Sequence, residues 1–233
     1  IELTTPIEEA KVISLIGEIY VRREEFSRGD LIKTLHSKGF VVKTAPITEY
    51  VYYSNYLLRK GIVKEGDEEN PLKLKYVIKE KYQKAIEKKV KNILSKSGMV
   101  LPHLIDVDKT INYAKELISE ELLGETILTT GLALREILDE SCGVISIGPF
   151  NCVPSRLSEA ILNREMTLEG KYKFGKIHRN GYPESLKSLP FLYVESDGNP
   201  FPQITQSRIE IFLMQAEKLH QLIIQKKRAK SSH

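Results

Sequence analysis

The chain has 233 residues, of which 41% are hydrophobic and 28% charged, with a formal net charge of +4. That is the profile of a soluble globular protein long enough for one large domain or two small ones. The basic excess sits in residues 79–96 and in the tail 226–230, as expected of solvated helix faces and not of a nucleic-acid footprint.

No apolar run approaches the about 18 residues of a membrane span, and no signal peptide is visible, so neither membrane nor nucleic acid is expected as a partner. The sequence opens at Ile1 without a methionine, which points to a piece of a longer polypeptide. Two cysteines give no disulfide framework, so a cytoplasmic location is expected.

Residues 12–18 read as a first buried strand. Residues 27–38 follow helical spacing through Leu31, Ile32 and Leu35, and Gly39 ends them as a C-cap. Residues 40–44 form a second short strand. Thr48–Lys60 is a helix dense in tyrosine (Tyr50, Tyr52, Tyr53, Tyr56), ended by Gly61. Half-buried packing with hydroxyls at the edge is the expectation for those rings. The succession βαβα opens a doubly wound fold.

Residues 65–70 are an acidic turn, and Pro71 suits the first position of a helix. Residues 72–96 read as one long amphipathic helix with Leu72, Tyr76, Ile86, Val90, Ile93 and Leu94 as its apolar positions, ended near Gly98. Asp108 caps another helix through Ile111, Tyr113, Ala114, Leu117 and Ile118, and a third spans 126–140. Residues 63–122 are therefore a helical insertion, and 1–62 with 123–233 form a Rossmann-like α/β domain. Residues 143–147 are the third strand and 155–163 its helix. Residues 171–189 are an irregular excursion, 191–194 the fourth strand and 206–226 a long closing helix. The expected fold is thus an open parallel sheet of about four strands, ordered 2-1-3-4 by right-handed crossovers, with a helical insertion.

Two segments carry the functional signal. Gly148-Pro149-Phe150-Asn151-Cys152-Val153-Pro154-Ser155-Arg156 follows the third strand, and Glu195-Ser196-Asp197-Gly198-Asn199-Pro200-Phe201-Pro202-Gln203 follows the fourth. Both are βα junctions, and open α/β sheets bind ligands at those carboxyl ends of strands. Cys152 lies just ahead of a helix start, where unpaired amides and the helix dipole favour thiolate, the form that binds metal or attacks an electrophile. The plainer alternative is a small, half-buried residue in a tight turn.

Cys142 precedes the strand that Cys152 follows, so about five residues at ~3.3 Å each separate them. That exceeds the ~7 Å limit for a disulfide and excludes shared ligation of one metal centre. Cys142 reads as a structural apolar residue. The five histidines show no ligand spacing, and Gly17-Glu18 after the first strand is no dinucleotide fingerprint.

Gly17-Glu18-Ile19-Tyr20-Val21-Arg22, taken with the two loops above, resembles the 2-hydroxyacyl-CoA dehydratase component family. The nearest branch is the C-terminal region of the long CoA-substrate-specific enzyme activase proteins. The resemblance runs in order over nearly the whole chain. It implies a Rossmann-like fold and a 4Fe-4S cluster held by cysteines from separate parts of a longer subunit, with Cys152 as one ligand and hence the metal residue here.

Pro149, Phe150, Asn151, Glu18, Asp197 and Asn199 would surround that cofactor site, and a polar shell of this kind orients ligands and tunes a cluster. The chain departs from the family in carrying Asn151 and Ser155 where glycine is usual, although Asn tolerates left-handed backbone. A cluster takes about four thiolates or substitutes, so it can form only with cysteines supplied from outside this chain. No phosphate-binding glycine loop is present either. The expected partners are an upstream activase region or partner subunit and an acyl-CoA, and a homodimer is compatible. The enzyme reading is an incomplete component of an ATP-dependent electron-transfer dehydratase, a lyase. The alternatives are a non-catalytic interaction module, or a CoA- or phosphate-binding module, that keeps the fold without redox chemistry.

Overall fold

The structure, a computed structural model, describes residues 6–64, 73–100, 102–175, 182–183 and 186–231. In chain order the elements are β1 (Val12–Gly17), α1 (Glu25–Arg28), α2 (Leu31–Ser37), β2 (Val41–Thr44), α3 (Thr48–Lys60) and α4 (Lys73–Leu94). They continue with α5 (Val107–Ala114), α6 (Thr126–Glu136), β3 (Gly143–Pro149), α7 (Val153–Glu165), α8 (Leu168–Gly175), β4 (Phe191–Ser196) and α9 (Gln203–Ser231). The expected turn at 65–70, Pro71 and Leu72 lie outside the described residues.

The four strands form one parallel sheet in the order β2-β1-β3-β4. This is the expected Rossmann-like arrangement. The central strands β1 and β3 are buried almost throughout, as parallel strands covered on both faces must be. Alternation along β1 sends Ile13 and Ser14 to opposite faces. A side chain on Gly143, the register partner of Ile13, would run into Phe212 and Ala216 of α9. Ser14, on the other face, donates to Glu136 of α6 at 2.5 Å. The core therefore lies in two layers, one under α9 and one under α6. No described helix is long and apolar enough to cross a membrane.

Two units separate by their contacts: residues 1–10 with 46–109, and residues 11–45 with 110–233. The second holds the whole sheet. The first is helical and includes α3, whereas the sequence pattern placed the helical segment at 63–122. In this unit Tyr52, Tyr53 and Tyr56 are buried, and the Tyr52 hydroxyl donates to Glu87 at 2.9 Å.

Several elements depart from the sequence pattern for local reasons. The helix expected over 27–38 is two, because Gly29 adopts a positive φ of 51° between α1 and α2. The helix expected over 126–140 ends at Glu136, where Leu138 turns left-handed at φ 72°. Its terminal carbonyl on Arg135 accepts from the buried Lys171 ammonium at 2.6 Å, a favourable charge at a helix C-terminus. Lys171 belongs to α8, a helix in the stretch expected to be irregular. The long helix α4 is amphipathic in the opposite sense to the usual one. Only Tyr76 among its apolar residues is fully buried, and Ile86, Val90, Ile93 and Leu94 are exposed.

Candidate functional site

The carboxyl end of the sheet is built around two glycines that no other residue can replace. Gly17 closes β1 at φ 105°, and a Cβ there would sit 2.1 Å from the Ile147 carbonyl of β3. That close approach lets the Glu18 amide donate to the same carbonyl at 2.9 Å. A Cβ on Gly148 would meet Ser155 Oγ at 2.4 Å. At this contact the added bulk of Ser155 is accommodated by the missing side chain of Gly148, which brings α7 down onto the end of β3.

Beyond β3 the chain turns through Pro149, which pairs with Ser196 of β4. The Phe150 amide donates to the Ser196 carbonyl at 2.9 Å, and the Asn151 amide to Glu195 Oε1 at 2.9 Å. Asn151 is left-handed, at φ 61°, so it performs the turn a glycine would make. Cys152 is the N-cap of α7, half-buried, with Pro154 in the first turn. Phe150, two residues before it, and Val153, the next residue, are 69% and 76% exposed. Cys142, at the other end of β3, is buried and its thiol donates to the Val12 carbonyl at 3.2 Å. Burial pushes that thiol up to about 12.

The β4 loop reaches back to the first strand's loop. The Ser196 hydroxyl donates to the Ser27 carbonyl, and Phe201 and Phe26 pack beside Gly29 and Gly198. The loops after β1, β3 and β4 therefore meet at one edge of the sheet. Within it the polar residues are not equally available. Glu18 Oε2 accepts from the Tyr20 and Val21 amides at 3.0 and 2.7 Å, which fixes the turn after β1. Asp197 accepts from the side chain and backbone amide of Asn199 at 3.0 and 2.9 Å. The Asn199 side chain first, then its backbone, holds the Asp197 carboxyl below its ordinary range. Both residues are exposed, and Gln203 opens α9 with its side chain exposed.

Four further residues belong to this edge. Arg22 is 6% exposed and donates to the Gly17 carbonyl at 2.8 Å. Glu125 accepts from the Ile19 amide at 3.3 Å, and burial, reinforced by Glu18, raises its pKa against the opposing pull of Arg22. Tyr193 lies under the Cys152 loop with the Arg156 guanidinium 5.7 Å from its ring centre. Its hydroxyl is buried with no hydrogen-bond partner among the described residues. Burial first, then Glu195 and Glu159, push it up to about 12. Glu195, the partner of Asn151, is the fourth. Arg22 and Glu195 lie inside segments whose turn pattern marks them. Glu125 and Tyr193 sit in stretches whose only signal is burial.

Of the two cysteines in the sequence, one reaches this edge. Among the described residues no group of three or more His, Cys, Asp or Glu could hold a metal ion. The chain's own residues fit a single ligand position of an iron-sulfur cluster and not a whole cluster. No protein-family model, curated protein or solved structure matches the chain.

Proposed function

We propose that this chain is a redox-component half-site resembling the 2-hydroxyacyl-CoA dehydratase and activase systems, in which Cys152 supplies one thiolate to a 4Fe-4S cluster completed by cysteines outside the chain. The observation that carries the reading is the position of Cys152. It holds the N-cap position of a helix at the carboxyl edge of a parallel sheet, beside the switch point between β1 and β3, with exposed Phe150 and Val153 near it in the chain. Ligands of open α/β sheets bind at that point. A single ligand with exposed apolar residues on either side of it in the chain suits a cluster shared across an interface. The unpartnered Tyr193 hydroxyl beneath the loop is a donor held in reserve for the same site.

The test uses a synthetic 4Fe-4S cluster with three irons capped by a tripodal thiolate and one iron open. Under anaerobic titration the wild type and Cys142→Ser take it up with a shift in the visible charge-transfer bands, and Cys152→Ser does not. Equal uptake by Cys152→Ser overturns the assignment.

A second reading rests on a separate observation. Arg22, Arg23 and Arg28 gather after β1, close enough that burial and then the charges of Arg22 and Arg28 lower the pKa of Arg23. Each donates to a main-chain carbonyl, Arg22 to Gly17, Arg23 to Ala45 and Arg28 to Arg23, and the further donors of Arg23 and Arg28 suit the phosphates of a CoA. Titration with CoA and with dephospho-CoA decides it: binding of CoA that Arg23→Gln and Arg28→Gln weaken supports the reading, and no binding removes it.

A further inference from the structure

In the helical unit, α4 turns polar residues toward α3 and leaves all its large apolar residues but Tyr76 and Val77 exposed. Facing α3, α4 turns Glu80, Gln83, Lys84, Glu87 and Lys91 inward. Asn55 donates to Gln83 Oε1 at 2.7 Å and Tyr52 to Glu87 at 2.9 Å, while Arg59 lies 3.6 Å from Glu80. Lys84 and Lys91 pair along the helix with Glu80 and Glu87 at 2.6 and 2.7 Å. Away from α3 lie Ile78, Tyr82 and Ile86, 59%, 68% and 47% exposed, and Leu74, Val90 and Leu94, 64%, 48% and 50% exposed, continue the same four-residue row as it winds round the helix. Their spacing of four makes one unbroken ridge of the kind that interlocks in helix packing. Exposed apolar surface that is contiguous, and not scattered, marks an interaction site.

The charge around the ridge says what covers it. Lys79, Lys81 and Lys89 are exposed beside it. The only carboxylates of α4, Glu80 and Glu87, are both taken up on the inner side. A second copy of the chain would set lysines against lysines. A flat lipid surface fits poorly, because each step of four residues rotates the ridge by about 40°, or about 200° from end to end. A helix crossing at about −50° seats its own ridge of the same pitch against this one. We propose that the outer face of α4 docks an acidic amphipathic helix of a partner protein, with Ile78, Tyr82, Ile86 and Val90 filling its grooves and the flanking lysines pairing with its carboxylates. This surface involves neither Cys152 nor the sheet edge, so it stands or falls apart from the half-site reading.

Two synthetic helical peptides test it with the full chain. One has leucines at four-residue spacing flanked by glutamates, and its twin has every glutamate replaced by lysine. The acidic peptide should bind saturably and at least about tenfold more tightly than its twin, with affinity falling as salt rises. Ile86→Asp should weaken it about tenfold, and Lys79→Glu/Lys81→Glu/Lys89→Glu should reverse the preference toward the lysine peptide. All these positions are exposed, so the fold should be kept, and far-ultraviolet circular dichroism checks this. If a variant loses its fold, the comparison of the two peptides on the wild type decides alone. Equal binding of both peptides, or binding of neither, overturns the proposal. So does capture by phosphatidylserine vesicles without peptide binding, or a dimer in sedimentation that Ile86→Asp dissociates.

Discussion

At the scale of single residues, the two cysteines are opposites. Cys142 is 2% exposed with a thiol raised by burial, whereas Cys152 is half-buried at a helix N-terminus. Only thiolate alkylates, so timed iodoacetamide labelling of the native protein should modify Cys152 first and leave Cys142 until denaturation. Early labelling of Cys142 would sink this contrast. Glu125 makes a second residue-level prediction. Its native pKa lies above the ordinary glutamate value, so the folded state holds the proton longer than the unfolded state. Stability contributed by the neutral form is present below the ordinary value and is lost as pH climbs through the raised one. Glu125→Gln keeps an oxygen for the Ile19 amide and removes that loss. Melting temperatures across this range should therefore fall less steeply in the variant than in the wild type, and parallel curves would contradict the assignment.

At the scale of elements, α6 is tied to the sheet by a polar cluster in an otherwise apolar layer. Lys43 of β2 bonds to Glu136, 3% exposed, and to Glu140 at 2.6 Å. Burial lowers the pKa of Lys43, but Glu136 and Glu140 outweigh it and the net shift is upward. Lys43→Met leaves the buried Glu136 with the Ser14 hydroxyl and the Arg135 guanidinium, 3.5 Å away, as its remaining partners. A loss of about 2–4 kcal/mol is expected in urea unfolding, at the lower end because Lys43 is partly solvated. Adding Glu136→Gln should recover part of it, and strict additivity would show that the pair is not coupled. The sheet was legible in the sequence because buried strands declare themselves as apolar runs closed by Gly, Pro and Asn. The sense of α4 was not. Its apolar residues recur at helical spacing, but α3 meets it with the polar groups of Tyr52, Asn55 and Arg59, and that choice of partner is invisible in α4 alone. The early end of α6 was equally hidden, since the left-handed turn falls on Leu138, and the Lys171 that bonds the Arg135 carbonyl comes from a stretch without pattern.

At the scale of the whole molecule, the edge where the loops meet was readable as far as turn residues mark it, through Asn151, Cys152 and Asp197. Glu125 and Tyr193 arrive there from elements whose sequence announces only burial, so their chemistry emerges with the fold. The parallel register has a kinetic consequence. Cys142 bonds to Val12 across 130 residues, and residues 46–109 of the helical unit lie within that span. Closing a loop costs about 0.6 kcal/mol more for each doubling of its length. The short crossover from β1 to β2 can therefore assemble early, while the second edge of β1 waits for a strand made much later. Until then a buried, apolar central strand is open on one side, a template for pairing with another chain. Pulsed hydrogen exchange during refolding should protect amides of β2 bonded to β1 before those of β3, and dilute conditions or a chaperone that holds the waiting edge should raise the yield of native protein.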